Sequence, residues 1–193
     1  MPNRRLEIAR IRCDRDVNSY VVTCSATREA VIIDPGSPGP KVLDQLKGLT
    51  VRHVLVSHGH NGHSASKQEI KDATGATVVM HKADAAMFLK SADIYAQGDE
   101  ELEFGQFRVR IILTPGHSPG SLCFLIGNHL FSGDTLLAGR LGKEMPTTDL
   151  RRQIQSIVLS LLPLPSNTVL YPGHGKSSTL GAERLDNPYL RLA

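Results

Sequence analysis

The chain has 193 residues, 22 basic and 19 acidic side chains for a formal charge of +3, 5% aromatic residues and no Trp. A chain of this length buries roughly 70% of the surface its unfolded form exposes, so one domain over residues 1–193 is expected, with no need of a staple. Outside a local cluster at Arg4, Arg5, Arg10, Arg12 and Arg15 the basic residues are scattered, which argues against the basic stripe and stacking platform of nucleic-acid binding and leaves a small anionic substrate as a compatible partner.

The amino terminus lacks an apolar signal core and no stretch approaches the ~18 apolar residues of a membrane span, so a soluble cytoplasmic protein without membrane partners is expected. Cys13, Cys24 and Cys123 are odd in number, far apart and outside any CxxC spacing. They read as buried apolar fillers rather than a disulfide framework or a zinc knuckle. Nothing in the sequence sets the oligomeric state.

Three short β-rich segments open the chain, Leu6 to Cys13, Ser19 to Cys24 and Ala30 to Asp34, each ending in turn formers. Val42, Leu43, Leu46 and Leu49 have helical spacing within Lys41 to Leu49. An apolar strand, Val51 to Ser57, then runs directly into His58. A helix over Ser64 to Ala73, a strand over Ala76 to His81 and a helix over Ala83 to Leu89 follow. From Glu101 to Asp134 the pattern is β, punctuated by Gly and Pro turns. Asp149 starts a helix whose apolar positions run from Ile154 to Leu162 and which Pro163 stops. A last strand, Thr168 to Tyr171, leads into Pro172-Gly173-His174. Strands and helices mixed throughout, with no linker or repeat, indicate one α/β domain.

Four of the apolar strands end by presenting His or Asp in a Gly-rich or Pro-rich loop. These residues are His58, His60 and His63, then His117, Asp134 and His174, and they include five of the eight histidines. Imidazole and carboxylate suit zinc or iron, and loops at strand ends can converge ligands that are distant in sequence. On an extended segment His58 and His60 project to one side and can grip one ion together. A lone histidine near a turn is ordinarily solvated or hydrogen-bonded, and His53, His81 and His129, which lack neighbouring ligand types, are read that way.

These motifs resemble the metallo-β-lactamase superfamily, and within it the small bacterial glyoxalase II-like hydrolases. The resemblance rests on Ile33-Asp34-Pro35-Gly36, the run from His58 to His63, Thr114 to Ser121, Ser132-Gly133-Asp134-Thr135-Leu136, Tyr171 to Gly175 and the closing Glu183 to Pro188. It implies an αββα sandwich of two mixed β-sheets flanked by helices, with metals at one edge. It also implies that His58, His60 and His117 hold a first metal and His63 and His174 a second. Asp134 would bridge the two, and Asp34 would support the loops from behind. Asp134 and His174 are then the candidate catalytic residues, and zinc, one or two ions, is the expected cofactor, with iron as the alternative.

The activity implied is hydrolysis of a small thioester or ester by a metal-activated water, with a glutathione thioester as leading candidate. Arg140 and Lys143, just after the Asp134 loop, are the candidate substrate-binding residues. Two departures qualify the resemblance. The family run is HxHxDH, but Gly62 stands where its aspartate belongs, which removes one ligand of the second metal. The stretch from Gly139 to Met145 also differs from the family's, and the helical domain of larger glyoxalase II enzymes is missing.

A mononuclear iron persulfide dioxygenase using His58, His117 and Asp134 would not need that aspartate. A catalytically weakened member that binds a metal or metabolite is a third reading. The β-lactam and nuclease branches fit less well, because lactam cleavage leans on the weakened second metal and nucleases carry added domains.

Overall fold

The computed structural model describes residues 5–142 and 148–191. Two six-stranded sheets face one another, and in each the strands neighbour one another in chain order. The first contains β1 (Leu6–Arg12), β2 (Asn18–Cys24), β3 (Glu29–Ile33), β4 (Thr50–Leu55), β5 (Thr77–His81) and β6 (Ile94–Ala96). The second contains β7 (Glu101–Phe104), β8 (Phe107–Leu113), β9 (Leu122–Ile126), β10 (His129–Gly133), β11 (Val169–Pro172) and β12 (Ser178–Thr179). Strands β1 to β3 pair antiparallel, whereas β3 to β6 pair parallel. Parallel neighbours need crossovers, and these carry α1 (Gly39–Gln45), α2 (Asn61–Ser64), α3 (Lys67–Thr74) and α4 (Lys82–Met87). In the second sheet only β10 and β11 are parallel. Their connection holds α5 (Leu150–Ser156), and α6 (Leu180–Asp186) follows β12.

Successive side chains alternate between faces of a strand, and here both faces are buried, which explains the nearly continuous apolar runs. Ala30 and Ile32 of β3 point to the helical side with Val42, Ile70 and Ala85. Val31 and Ile33 point between the sheets, against a set that includes Phe104, Ile111, Phe124 and Phe131. On the far side of the second sheet, Ile112, Cys123 and Leu130 meet Ile157, Leu161 and Leu180. The layers are thus αββα. Each cysteine falls in a different one of these three cores, and all three are free and buried. Among the described residues no helix is long and apolar enough to cross a membrane.

Several boundaries differ from the sequence reading. The first helix begins at Gly39 rather than Lys41, with Pro40 in its first turn, where a fixed φ and a missing N–H cost nothing. The helix expected over Ser64 to Ala73 is two helices. Ser66 between them is non-helical (φ −98°, ψ 6°) because its N–H donates to the Pro35 carbonyl (3.0 Å) and its hydroxyl to that of Gly36 (2.9 Å). Asp149 caps α5 as expected, accepting from Arg152 N. The helix then widens into a π turn at Ile157–Leu161.

Candidate metal centre

The loops after β3, β4, β8, β10 and β11 open at one edge of the sandwich. Their side chains meet on a cleft of about 660 Å³ lined by His60, His63, His117, Asp134 and His174, with Arg15, Phe88 and Arg140 at its margins. All six ligand candidates are brought together. Arg140 reaches the cleft, whereas Lys143 lies outside the described residues. The run from His58 is not one extended segment. It is extended at His60 (φ −61°, ψ 141°) and then enters α2, so His63 swings toward the second sheet. Asn61 lines the cleft, with its Oδ1 engaged by Lys90 Nζ (2.8 Å).

Four of the five imidazoles are oriented by the nitrogen that faces away from the cleft. His63 Nδ1–H donates to Asp34 Oδ2 (3.0 Å), His117 Nδ1–H to the Gly142 carbonyl (3.0 Å) and His174 Nδ1–H to the Asp16 carbonyl (3.2 Å). Ser57 Oγ gives its proton to Asp34 Oδ2 (2.6 Å), so it accepts from His58 Nδ1–H (2.9 Å). These bonds leave the Nε2 lone pairs of four histidines aimed inward. His60 is the exception: its Nδ1 faces His117 Nε2 at 3.1 Å.

Bare lone pairs brought this close repel unless a cation lies between them. The donors of His58, His60 and His117 form one mutually close group, and those of His63, Asp134 and His174 another. In the second group His63 Nε2 to His174 Nε2 is 3.4 Å, His63 Nε2 to Asp134 Oδ2 is 3.5 Å and His174 Nε2 to Asp134 Oδ2 is 3.4 Å. A tetrahedral ion with ligands at about 2.0–2.1 Å has donor-to-donor edges of about 3.3–3.4 Å. The spacing fits such an ion. Asp134 Oδ2 is also 3.8 Å from His117 Nε2. His58 Nε2 is buried without a hydrogen-bond partner, which suits an atom awaiting a cation.

The protonation equilibria point the same way. Burial, reinforced by the neighbouring histidines, holds His58 well below its usual pKa and His60 at about 4, so both present neutral nitrogen. Burial opposes a charge on His63 too, but Asp134 and Asp34 outweigh it and raise its pKa to about 10. Burial likewise works against the Asp134 carboxylate, yet His63 and His174 keep it well below the ordinary value. The site demands positive charge, supplied by a proton on His63 or by a metal.

Other residues build this geometry, and two of them, Asp84 and Gln153, lie in no motif. Buried Asp84 accepts from Gly59 N (2.7 Å) and Ser118 Oγ (2.7 Å) through Oδ2, and from Gly120 N (2.6 Å) through Oδ1. It ties the His60 loop to the His117 loop across the two sheets. Gln153 Nε2 donates to the carbonyls of Asp134, Thr135 and Gly142, which fixes the carbonyl that His117 leans on. Gly116 must be glycine: its φ is 145° and a Cβ would meet Gln153 Cα at 2.3 Å. Glu183, in the closing segment, accepts from Gly139 N (2.9 Å) and Asn187 Nδ2 (2.8 Å), bracing the loop that carries Arg140. The only sequence signal of Asp84 and Gln153 is polarity inside otherwise apolar or helical surroundings.

His53, His81 and His129 stay outside the cluster. His53 Nε2 pairs with the Glu103 carbonyl, His81 Nδ1 caps α4 through Ala83 N, and His129 Nδ1 pairs with Tyr171 Oη.

The chain is 32% identical to a probable metallo-hydrolase, YqgX, of Bacillus subtilis, over 84% of this chain and 87% of that one. It is 32% identical to the hydroxyacylglutathione hydrolase of Pelagibacter ubique, over 88% of this chain and 71% of the relative. Among solved structures, the BLEG-1 B3 metallo-beta-lactamase superposes with a TM-score of 0.86 at 29% identity, over 95% of this chain and 99% of that one. The profile of the metallo-beta-lactamase superfamily matches residues 14–174, a span that takes in every histidine and aspartate of the cleft. The fold, the paired donor groups and this match agree, and the chain belongs to the metallo-β-lactamase superfamily, a superfamily of metallo-hydrolases.

Proposed function

We propose that this protein hydrolyses a small thioester or ester, with His58, His60 and His117 holding one zinc ion, His63 and His174 holding a second, and Asp134 shared between them. The observation that carries this reading is the convergence of bare imidazole nitrogens on Asp134 Oδ2 at the floor of an open cleft. When bound, such an ion acts as a Lewis acid and lowers the pKa of a coordinated water to about 7.

The chain's own residues do the rest. Asp134 and His174 border the cleft, where they orient the attacking water, and Arg140 offers a guanidinium to a substrate carboxylate. As the water oxygen bonds to the carbonyl carbon and its released proton passes to solvent, the carbon–sulfur bond breaks and a thiolate departs that needs little protonation. Gly62 leaves the second ion three protein donors, the number common in catalytic zinc sites. Affinity there is lower than at the first ion, because a carboxylate is missing. The likeness to a hydroxyacylglutathione hydrolase supports a glutathione thioester as substrate.

An iron persulfide dioxygenase built on His58, His117 and Asp134 is the second reading, since Gly62 removes none of the three. It ranks lower because His60 Nδ1, 3.1 Å from His117 Nε2, completes a three-imidazole set at that position. The test is to load purified protein with zinc or with ferrous iron and to follow thiol release from a hydroxyacylglutathione and oxygen uptake with glutathione persulfide. Thiol release by the zinc form is expected. Oxygen uptake by the iron form without thiol release by either would overturn the hydrolase.

A further inference from the structure

A second cavity, about 230 Å³, lies beside the metal cleft and is lined by Arg10, Arg12, Asp16, Asn18, Gly175 and Lys176. The two spaces share a wall. Arg15, Val17 and His174 line the cleft, while their chain neighbours Asp16, Asn18 and Gly175 line the smaller cavity. That wall is rigid: Val17 bridges His174, Asn18 N donates to the Gly173 carbonyl (2.7 Å), and Asn18 Nδ2 donates to those of Pro172 (3.0 Å) and Gly175 (2.9 Å).

The cavity has three cations against one carboxylate. Arg12 already engages Asp16, with Nε at 3.0 Å and a second nitrogen at 2.8 Å. Among the described residues the hydrogen bond found for Arg10 is a long one to the Gly175 carbonyl (3.5 Å), and no ion pair of Lys176 is found. Exposed Arg and Lys are usually just solvated. Here three arguments weigh against that. Arg10 and Arg12 lie on one face of β1 by strand periodicity, so both guanidinium groups serve the same space. Arg15 continues the row over the shared wall into the metal cleft. Forked guanidinium groups pair phosphate and carboxylate bidentately, and a cluster whose charge is not internally balanced favours such a guest.

We propose that this cavity is a subsite for an anionic group, phosphate or carboxylate, carried on the leaving-group arm of the substrate. The inference rests on the thioester reading of the adjoining cleft, where the acyl carbon meets the metal side and the thiol arm extends across the Arg15 rim. It adds no covalent step and sets which thiols the enzyme accepts.

Calorimetry on the zinc-loaded protein tests it with two thiol-blocked probes, S-methyl coenzyme A for phosphates and S-methyl glutathione for carboxylates. At least one is expected to bind, more weakly as salt rises, and Arg10→Gln with Lys176→Gln, both exposed positions, weakens it about tenfold or more. A melting curve checks that the double variant is folded. Equal affinity in both proteins, or binding of neither probe, overturns the subsite, and the stronger probe identifies the anion.

In kinetics, the ratio of kcat/KM for the anionic thioester to that for a neutral N-acetylcysteamine thioester is expected to fall in the variant, mainly through KM. An unchanged ratio counts against the subsite. If the unmodified enzyme cleaves no thioester at all, the hydrolase reading fails, while the calorimetry still decides the subsite.

Discussion

Val17 Cγ2 stands 3.0 Å from the point where a Cβ on Gly62 would sit. An aspartate at position 62 therefore fits only if Val17, which is buried, gives by a few tenths of an ångström. Gly62→Asp is expected to raise zinc content from near one toward two ions per chain, and the effect grows when Val17→Ala relieves the contact. Elemental analysis after dialysis measures this; identical metal content in all three proteins would show that position 62 does not govern the second ion.

Asp84 holds two ligand loops at once, so its loss is expected to be felt in both stability and metal binding. Asp84→Ala leaves two buried N–H groups and a hydroxyl without their acceptor, at about 1–3 kcal/mol each. Calorimetric melting should fall by several degrees, since ~1 kcal/mol shifts Tm by about 2–4 °C in a chain of this size. Zinc affinity falls with it. A Tm within a degree of the parent would contradict the clamp.

Asp34 and Ser57 offer a way to separate the two proposed ion sites experimentally. Ser57→Ala removes the acceptor of His58 Nδ1–H and leaves the bond from His63 to Asp34 in place. Asp34→Asn touches His63 directly and His58 only through Ser57. Losing such an orienting partner typically costs 10–100-fold in metal affinity. The serine variant is expected to weaken the tighter site and the asparagine variant chiefly the looser one, as read by competition with a zinc chelator. The same change at both sites in both variants would refute the division.

The pH dependence of stability should reverse sign on loading the metal. In the ion-free protein the His63 pKa of about 10 exceeds its unfolded value near 6.5. Its contribution is full below about pH 6.5 and is lost as pH rises through 10. Asp134, held well below 3.8, contributes above that value and ceases to do so as pH falls. Zinc must displace the His63 proton, so its affinity climbs over the range in which the ion-free protein weakens. Melting temperatures from pH 7 to 9 are expected to drop without zinc and to hold or rise with it. Parallel declines would dispose of this linkage.

Much of this site is legible in the sequence because its candidate ligands are rare residue types set at strand ends among glycines. Isolated as His117 and His174 are in sequence, the Pro-Gly-His repeat marks them as equivalents. Asp84 was not legible. It sits as a lone acid between alanines in a short helix, and only the folded chain shows that its oxygens reach Gly59, Ser118 and Gly120. Gln153 is hidden for the same reason, as a polar residue in an amphipathic helix. The strands β6 and β12 were missed because three or two residues are too few to show alternation, and α6 because Gly181 and few apolar positions blur its periodicity. The break between α2 and α3 is tertiary in origin, set by the bonds from Ser66 to the loop at Pro35 and Gly36.

The division of the strands has a consequence for assembly. Strands β1 to β6 make one sheet and β7 to β12 the other, so the chain divides near Gly98 into two consecutive halves. His58, His60 and His63 belong to the first, and His117, Asp134 and His174 to the second. Neither half alone holds all the donors proposed for either ion. Two fragments cut between Gly98 and Asp99 and expressed together are therefore expected to associate through the apolar layer between the sheets, and more tightly with zinc bound than after chelation; an association that chelation leaves unchanged would refute this. The ion then adds a chemically controllable link between two polypeptides already held by their shared core, a use to which an intact chain never puts it.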